Sequence, residues 1–221
     1  SALARAWPGS AALWRDARDG PDERTWLRDE TGGSVYLRMT TNPIEQPGKR
    51  RDEDFRQGAI DGAYWLRKPG PNCEVVIAYQ GAVAPEAIKA AGIIGEARRD
   101  VGVLAVTSAD RLNAGWTAAQ RARSRGNKAA QAHIETLMTD LPPHCKVITV
   151  IDGHPATLSW LGSVQGHQTV PLGVEHFGQT GTIADLYRHH GIDAAAIVER
   201  VNGLTVGKEL NQSIPDTHTY N

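Results

Sequence analysis

The sequence is poor in the residues that staple or charge a small protein. Two cysteines, Cys73 and Cys145, occur in 221 residues. They are too few and too far apart along the chain for a disulfide framework or a zinc site, and a reduced, cytoplasmic setting is the expectation that follows. Charge of one sign is lacking as well. With 24 basic and 25 acidic side chains the net charge is -1, so there is no global field of the kind nucleic-acid binders use. The single basic run, Arg121 to Lys128, reads as a solvated helix end rather than a binding patch. No apolar run approaches the roughly 20 residues that a membrane span needs. Nor does the chain open on methionine or on a charged-then-apolar leader, and Ser1 with the residues after it reads as the start of a piece of something longer. What these lacks leave is a soluble globular chain, long enough for one large domain or for one domain with a fragment of another.

What is present falls into two unequal parts. PDERTWLRDE, Pro21 to Glu30, has proline ahead of an acidic first turn and predicts a short helix. SVYLRMT, Ser34 to Thr40, reads as a strand by its β-branched and aromatic content. TNPIEQPGKRR, residues 41–51, is polar with prolines and a glycine, and reads as a linker. A helix and one strand cannot bury both their faces, so residues 1–40 read as the tail of a preceding domain.

Beyond the linker the pattern is regular. Strands are predicted at 62–68, 73–79, 102–107, 146–152 and 169–174, with helices at 85–97, 110–125, 128–141 and 156–164, and two more at 182–190 and 193–201. Runs such as VVIAY and VLAVT are apolar on both faces, which requires helices on both sides of the sheet. The expectation is an α/β domain over 52–205 with a mostly parallel sheet covered on both faces, and a loose polar tail over 206–221.

Ligand-cradle motifs do not survive inspection. VPLGVEHFGQTGTIADLYRHHGID, Val170 to Asp193, runs from strand through glycines into a helix, but Gly173, Gly178 and Gly181 match neither GxGxxG nor GxxxxGK[ST]. Capping accounts for it better: Thr182 and Asp185 make a T-x-x-D box, and Gly191 suits the left-handed position that ends the helix. His154, in DGHP, and His176, in VEH, both fall at predicted strand carboxyl ends, where open α/β sheets bind ligands. With Asp152 or Glu175 they are candidates for a metal or acid/base pair if their strands are neighbours, although such residues more often cap helices or bond loop backbone. His189 and His190 are adjacent on one helix and are expected to point apart. No GxSxG elbow surrounds Ser108, Ser159 or Ser163.

Several segments carry a family resemblance. Leu172 to Val198 resembles the closing segment of the carboxyl-terminal domain of transketolase-like thiamin-diphosphate enzymes, and is most similar to the homodimeric first component of pyruvate dehydrogenase complexes. VGVLAVTSADRL, DFRQGAIDGAYWLR and SVYLRMTTNPIEQP resemble, in turn, that domain's second strand, its opening helix and strand, and the last strand of the middle, pyrimidine-binding domain with its linker. The resemblance implies a homodimeric parent that binds thiamin diphosphate and magnesium, decarboxylates a 2-oxo acid and passes the acyl group to a lipoyl-bearing acyltransferase. It also implies that this chain holds no catalytic, cofactor or metal residue. The Gly-Asp-Gly motif with its downstream asparagine pair does not occur here, although Asp61-Gly62 and Asp152-Gly153 do. On the same resemblance Thr41, His154, His176, Phe177 and Gln179 fall at channel-mouth or subunit-interface positions.

One strand bears on the substrate. In sugar-phosphate transketolases the strand corresponding to SVYLRMTTNP resembles V-Y-L-R-x-S-R-Q, whose second arginine reaches the substrate phosphate. Matching Val35, Tyr36, Leu37 and Arg38 to that pattern puts Thr41 at the arginine position. A neutral hydroxyl there disfavours a phosphorylated substrate, and Arg38 lies on the opposite face of the strand. The alternatives that stay open are the same domain of a sugar-phosphate transketolase and a non-catalytic binding or assembly module of this fold.

Overall fold

The computed structural model describes residues 52–97, 100–176 and 178–204. The predicted helix at 21–30, the strand at 34–40, the linker and the terminal tail lie outside them. The first described helix, α1 (Glu53–Asp61), starts where Asp52 accepts from the Phe55 amide at 2.8 Å and stops at Gly62, whose φ of 110° only glycine adopts readily. Strand β1 (Ala63–Arg67) follows directly, then β2 (Val75–Gln80) and a 3-10 turn (Gly81–Val83) that runs into α2 (Ala84–Ala97). After β3 (Val101–Val106) come α3 (Ala109–Ser124) and α4 (His133–Met138). Strand β4 (Lys146–Ile151), α5 (Ala156–Ser159) with a 3-10 extension (Trp160–Val164), β5 (Thr169–Leu172), α6 (Ile183–His189) and α7 (Ala194–Leu204) complete the order.

The five strands form one sheet in the order β1-β3-β2-β4-β5. The pairs β2/β3, β2/β4 and β4/β5 are parallel, and only the edge strand β1 runs antiparallel, against β3. This is the expected mostly parallel α/β architecture. Every residue of β2 and β3 is buried, as strands covered on both faces must be. Alternation sorts them into two cores. Val75, Ile77, Val103, Ile148 and Val150 face α2 and α7, meeting Ala87, Ile94, Ile197 and Val201. Val76, Ala78, Leu104 and Val147 face the other way, against Leu112, Ile134, Met138 and Leu158.

Two predicted helices are shorter than expected. Only His133–Met138 of 128–141 is helical, and at its start Arg123 holds the preceding turn from outside. Its guanidinium donates to both Glu135 carboxylate oxygens at 3.0 and 2.6 Å and to the Ala130 carbonyl at 2.8 Å, while Glu135 also accepts from the Ala132 amide. The 156–164 helix tightens to 3-10 geometry from Trp160, where Gly162 lies against the Thr169 side chain and its carbonyl accepts from the His167 amide at 2.9 Å. The basic run is thus the end of α3, with one of its arginines committed to an internal ion pair. Among the described residues no helix is long and apolar enough to cross a membrane.

Candidate functional site

In this strand order the chain leaves β2 to one side for β3 and returns to the other side for β4, so the topological switch point lies between β2 and β4. Gln80 and Asp152 mark its carboxyl edge. Gly81, at φ 82°, carries the chain out of β2 so closely that a β-carbon there would lie 2.9 Å from Asp152 Oδ1. Gln80 is buried, and its Oε1 has no hydrogen-bond partner among the described residues. Tyr187 of α6 leans over this edge. Burial, followed by the nearby charges of Asp152 and Glu86, pushes its hydroxyl up to about 12, so it remains a proton donor at neutral pH. Glu86 is itself committed, accepting from the Ala194 amide at the start of α7 at 2.8 Å.

The loops beyond β4 and β5 are packed together. The Val174 amide donates to the Gly153 carbonyl at 2.8 Å, and Gly173 sits against Gly153 and Pro155 with no room for a side chain. The strands carrying His154 and His176 are therefore neighbours, as a metal or acid/base pair would require. The side chains do not complete it. His154 is exposed and its Nδ1 accepts from the Ala156 amide at 3.2 Å, a loop-capping role; His176, Glu175 and Gln179 are also exposed. Among the described residues no group of three or more histidine, cysteine, aspartate or glutamate side chains is placed to hold a metal. Thr41 and Phe177 lie outside the described residues.

The turn before α6 is a cap, as the T-x-x-D pattern predicts. Thr182 Oγ1 accepts from the Asp185 amide at 3.2 Å and donates to the Asp185 carboxylate at 2.6 Å, and Gly191 ends the helix at φ 63°. One expectation needs correcting. The rings of His189 and His190 do not diverge but meet edge to face, 4.9 Å between centroids, because side chains about 100° apart on a helix can still touch at their rims.

Neither aspartate-glycine pair fits magnesium diphosphate. Asp61 is held by the Gln57 side-chain amide at 2.8 Å and faces Arg111 at 3.9 Å, with Gly62 capping α1, while the Asp152-Gly153 turn is packed against Gly173. Gln80, at the switch point, and Tyr187, close enough to feel the charge of Asp152, are not evident in the sequence. The one available signal for Gln80 was a polar residue closing the run VVIAYQ at a strand carboxyl end.

Residues 62–193 match the family model described as the transketolase-like TK C-terminal domain. The chain belongs to this family. Comparison with the curated proteins gives no match. Among solved structures, similarity extends to transketolase from Leishmania mexicana, at 19% identity and a TM-score of 0.49 over 67% of this chain and 18% of that one. It extends also to transketolase from Campylobacter jejuni subsp. jejuni NCTC 11168, at 18% identity and a TM-score of 0.44 over 64% and 18%. A third is a split gene transketolase described as an inactive beta4 tetramer, at 17% identity and a TM-score of 0.47 over 73% and 46%. The chain thus spans 18% of the length of each of the first two relatives.

Proposed function

We propose that this chain is the carboxyl-terminal part of a thiamin-diphosphate-dependent 2-oxo acid dehydrogenase first component of the pyruvate dehydrogenase kind. In this reading residues 1–40 belong to the pyrimidine-binding domain, 41–51 are the linker, 52–205 are the carboxyl-terminal domain and 206–221 are a tail. The domain serves the parent through dimer contacts and the approach to the active site, with Thr41, His154, His176, Phe177 and Gln179 at the channel mouth or interface. The parent hands its acyl group to a lipoyl-bearing acyltransferase.

The observation that carries the structural role is how the polar groups at the sheet's carboxyl edge are used. His154, Glu86 and Thr182 are each bonded to backbone amides of their own or a neighbouring loop, and the segment from Glu175 to Ile183 stands exposed around them wherever it is described. These side chains hold the local backbone and the exposed segment faces outward, which supports a contact role for this edge. The choice of a 2-oxo acid over a sugar phosphate rests on Thr41, where a phosphate would want a charged fork. Loss of such a charge-assisted contact costs about 1.5 to 3 kcal/mol.

The parent enzyme with its cofactor, assayed in parallel on pyruvate with an artificial electron acceptor and on xylulose 5-phosphate with an aldose acceptor, is expected to turn over pyruvate. Ketol transfer from the sugar phosphate without pyruvate turnover would replace this reading with the transketolase one.

A further inference from the structure

The two cysteines, 72 residues apart in sequence, lie side by side in the fold, with Cys145 Sγ directed at Cys73 Sγ at 3.9 Å. Both are fully buried and both are free thiols. They sit at the amino edge of the sheet, at the opposite end of the strands from the candidate site. Cys145 immediately precedes β4 and Cys73 lies two residues before β2. The strands are already in register there, since Lys146 pairs with Val75 and its amide donates to the Glu74 carbonyl at 2.9 Å. The backbones on either side are pinned too. The Cys73 amide donates to the Gly70 carbonyl at 3.2 Å, the Cys145 amide to the Pro142 carbonyl at 2.9 Å, and the His167 ring contacts the Cys145 carbonyl at 3.1 Å.

We propose that Cys73 and Cys145 form a reversible dithiol–disulfide site that staples the start of β2 to the start of β4, oxidised by hydrogen peroxide that reaches the buried thiols when the amino edge of the sheet opens locally. A disulfide needs the sulfurs at about 2.05 Å, and adjacent strands in register allow that approach by side-chain rotation and a small local adjustment. The two thiols are unequal. Hydrogen bonding from Cys145 outweighs burial and lowers the Cys73 thiol below the usual range, whereas loss of that bond on ionisation and burial together raise Cys145. Geometry gives the same order: Cys73 Sγ donates to the Val75 carbonyl at 3.1 Å and accepts from Cys145, so it is the sulfur that keeps a donor beside it once its proton is lost, and it is the attacking one. Its thiolate takes one peroxide oxygen: the S–O bond forms, the O–O bond breaks, and the departing hydroxide is protonated to water. Cys145 then attacks the sulfenic sulfur, forming S–S and breaking S–O, and its proton leaves with that oxygen as a second water. The balance is two thiols and one hydrogen peroxide giving one disulfide and two waters. With no other cysteine in the chain, neither sulfur has a rival partner within it.

The test treats the 221-residue chain with hydrogen peroxide under native conditions, blocks remaining thiols on denaturation, and maps the digest by mass spectrometry with and without dithiothreitol. A mass loss of two hydrogens, a linked peptide pair containing Cys73 and Cys145, and its disappearance on reduction are expected. The oxidised chain is expected to unfold at higher urea concentration than the reduced one, since the link restricts the unfolded chain. C145S keeps a hydroxyl donor beside Cys73 and is expected to stop at a sulfenic acid on Cys73 that dimedone traps. Peroxide that leaves both thiols free, that over-oxidises them without a linked pair, or that yields only links between chains would overturn the proposal. So would dimedone capture on Cys145 in C73S without capture on Cys73 in C145S.

Discussion

Gly173 decides, at the scale of one residue, how the turn after β5 is built. Its ideal β-carbon would lie 2.5 Å from the Gly153 carbonyl oxygen and 2.9 Å from Pro155 N and Cδ, atoms of a loop that cannot rotate away as a flexible side chain would. Gly173→Ala is therefore expected to destabilise the protein by about 1–3 kcal/mol, the usual cost of overpacking. It should also separate the two loops that carry His154 and His176. Urea unfolding measures the first effect and the amide shifts of Gly153 and Val174 the second; a variant as stable as wild type with unmoved resonances would show that the contact is slack. The glycine is thus conspicuous for a packing reason, and the capping by Thr182 and Gly191 accounts for the rest of the turn.

At the scale of elements, the junction of α3 and α4 hangs on the ion pair of Arg123 with Glu135. Hydrogen bonding from Arg123 outweighs desolvation and holds the Glu135 carboxyl below its ordinary range. A carboxyl whose folded pKa lies below its unfolded value binds fewer protons when folded. Its contribution is therefore complete above the unfolded pKa of about 4.3 and disappears as pH falls through the lower folded value. Glu135→Gln is expected to lower the urea midpoint at pH 6, and the gap from wild type should narrow steadily below about pH 4.3. A gap unchanged between pH 6 and pH 3 would mean that the carboxylate charge contributes nothing and that only the cap to Ala132 matters. The same arginine holds the turn ahead of His133, where the helical part of 128–141 begins.

At the scale of the whole molecule, one sheet separates two apolar layers, and strands buried on both faces tie them together. Ile77, on the α2 and α7 side, and Leu158, on the side of α3 and α4, are both fully buried. Ile77→Ala and Leu158→Ala are each expected to cost about 2–5 kcal/mol. Because the sheet is shared, each should shift one common transition, seen alike by tryptophan fluorescence and far-ultraviolet circular dichroism. Two separated transitions in either variant would show that the layers unfold independently.

Much of this architecture was legible in the sequence for physical reasons. Runs such as VVIAY and VLAVT are apolar at every position, which only a strand covered on both faces tolerates, and Thr182, Asp185 and Gly191 make their cap through contacts within one helix. Local and periodic signals of this kind need no knowledge of distant partners. What lies between elements was decided by the tertiary structure alone. Strand order placed the switch point beside Gln80 and Asp152 and brought Tyr187 over it. The same order set Cys73 against Cys145, which are too far apart along the chain for their spacing to suggest a disulfide framework. Side-chain encounters across 72 residues depend on which strands pair and in what register, and that is settled by packing two helical layers onto one sheet, with no trace in the spacing of the residues concerned.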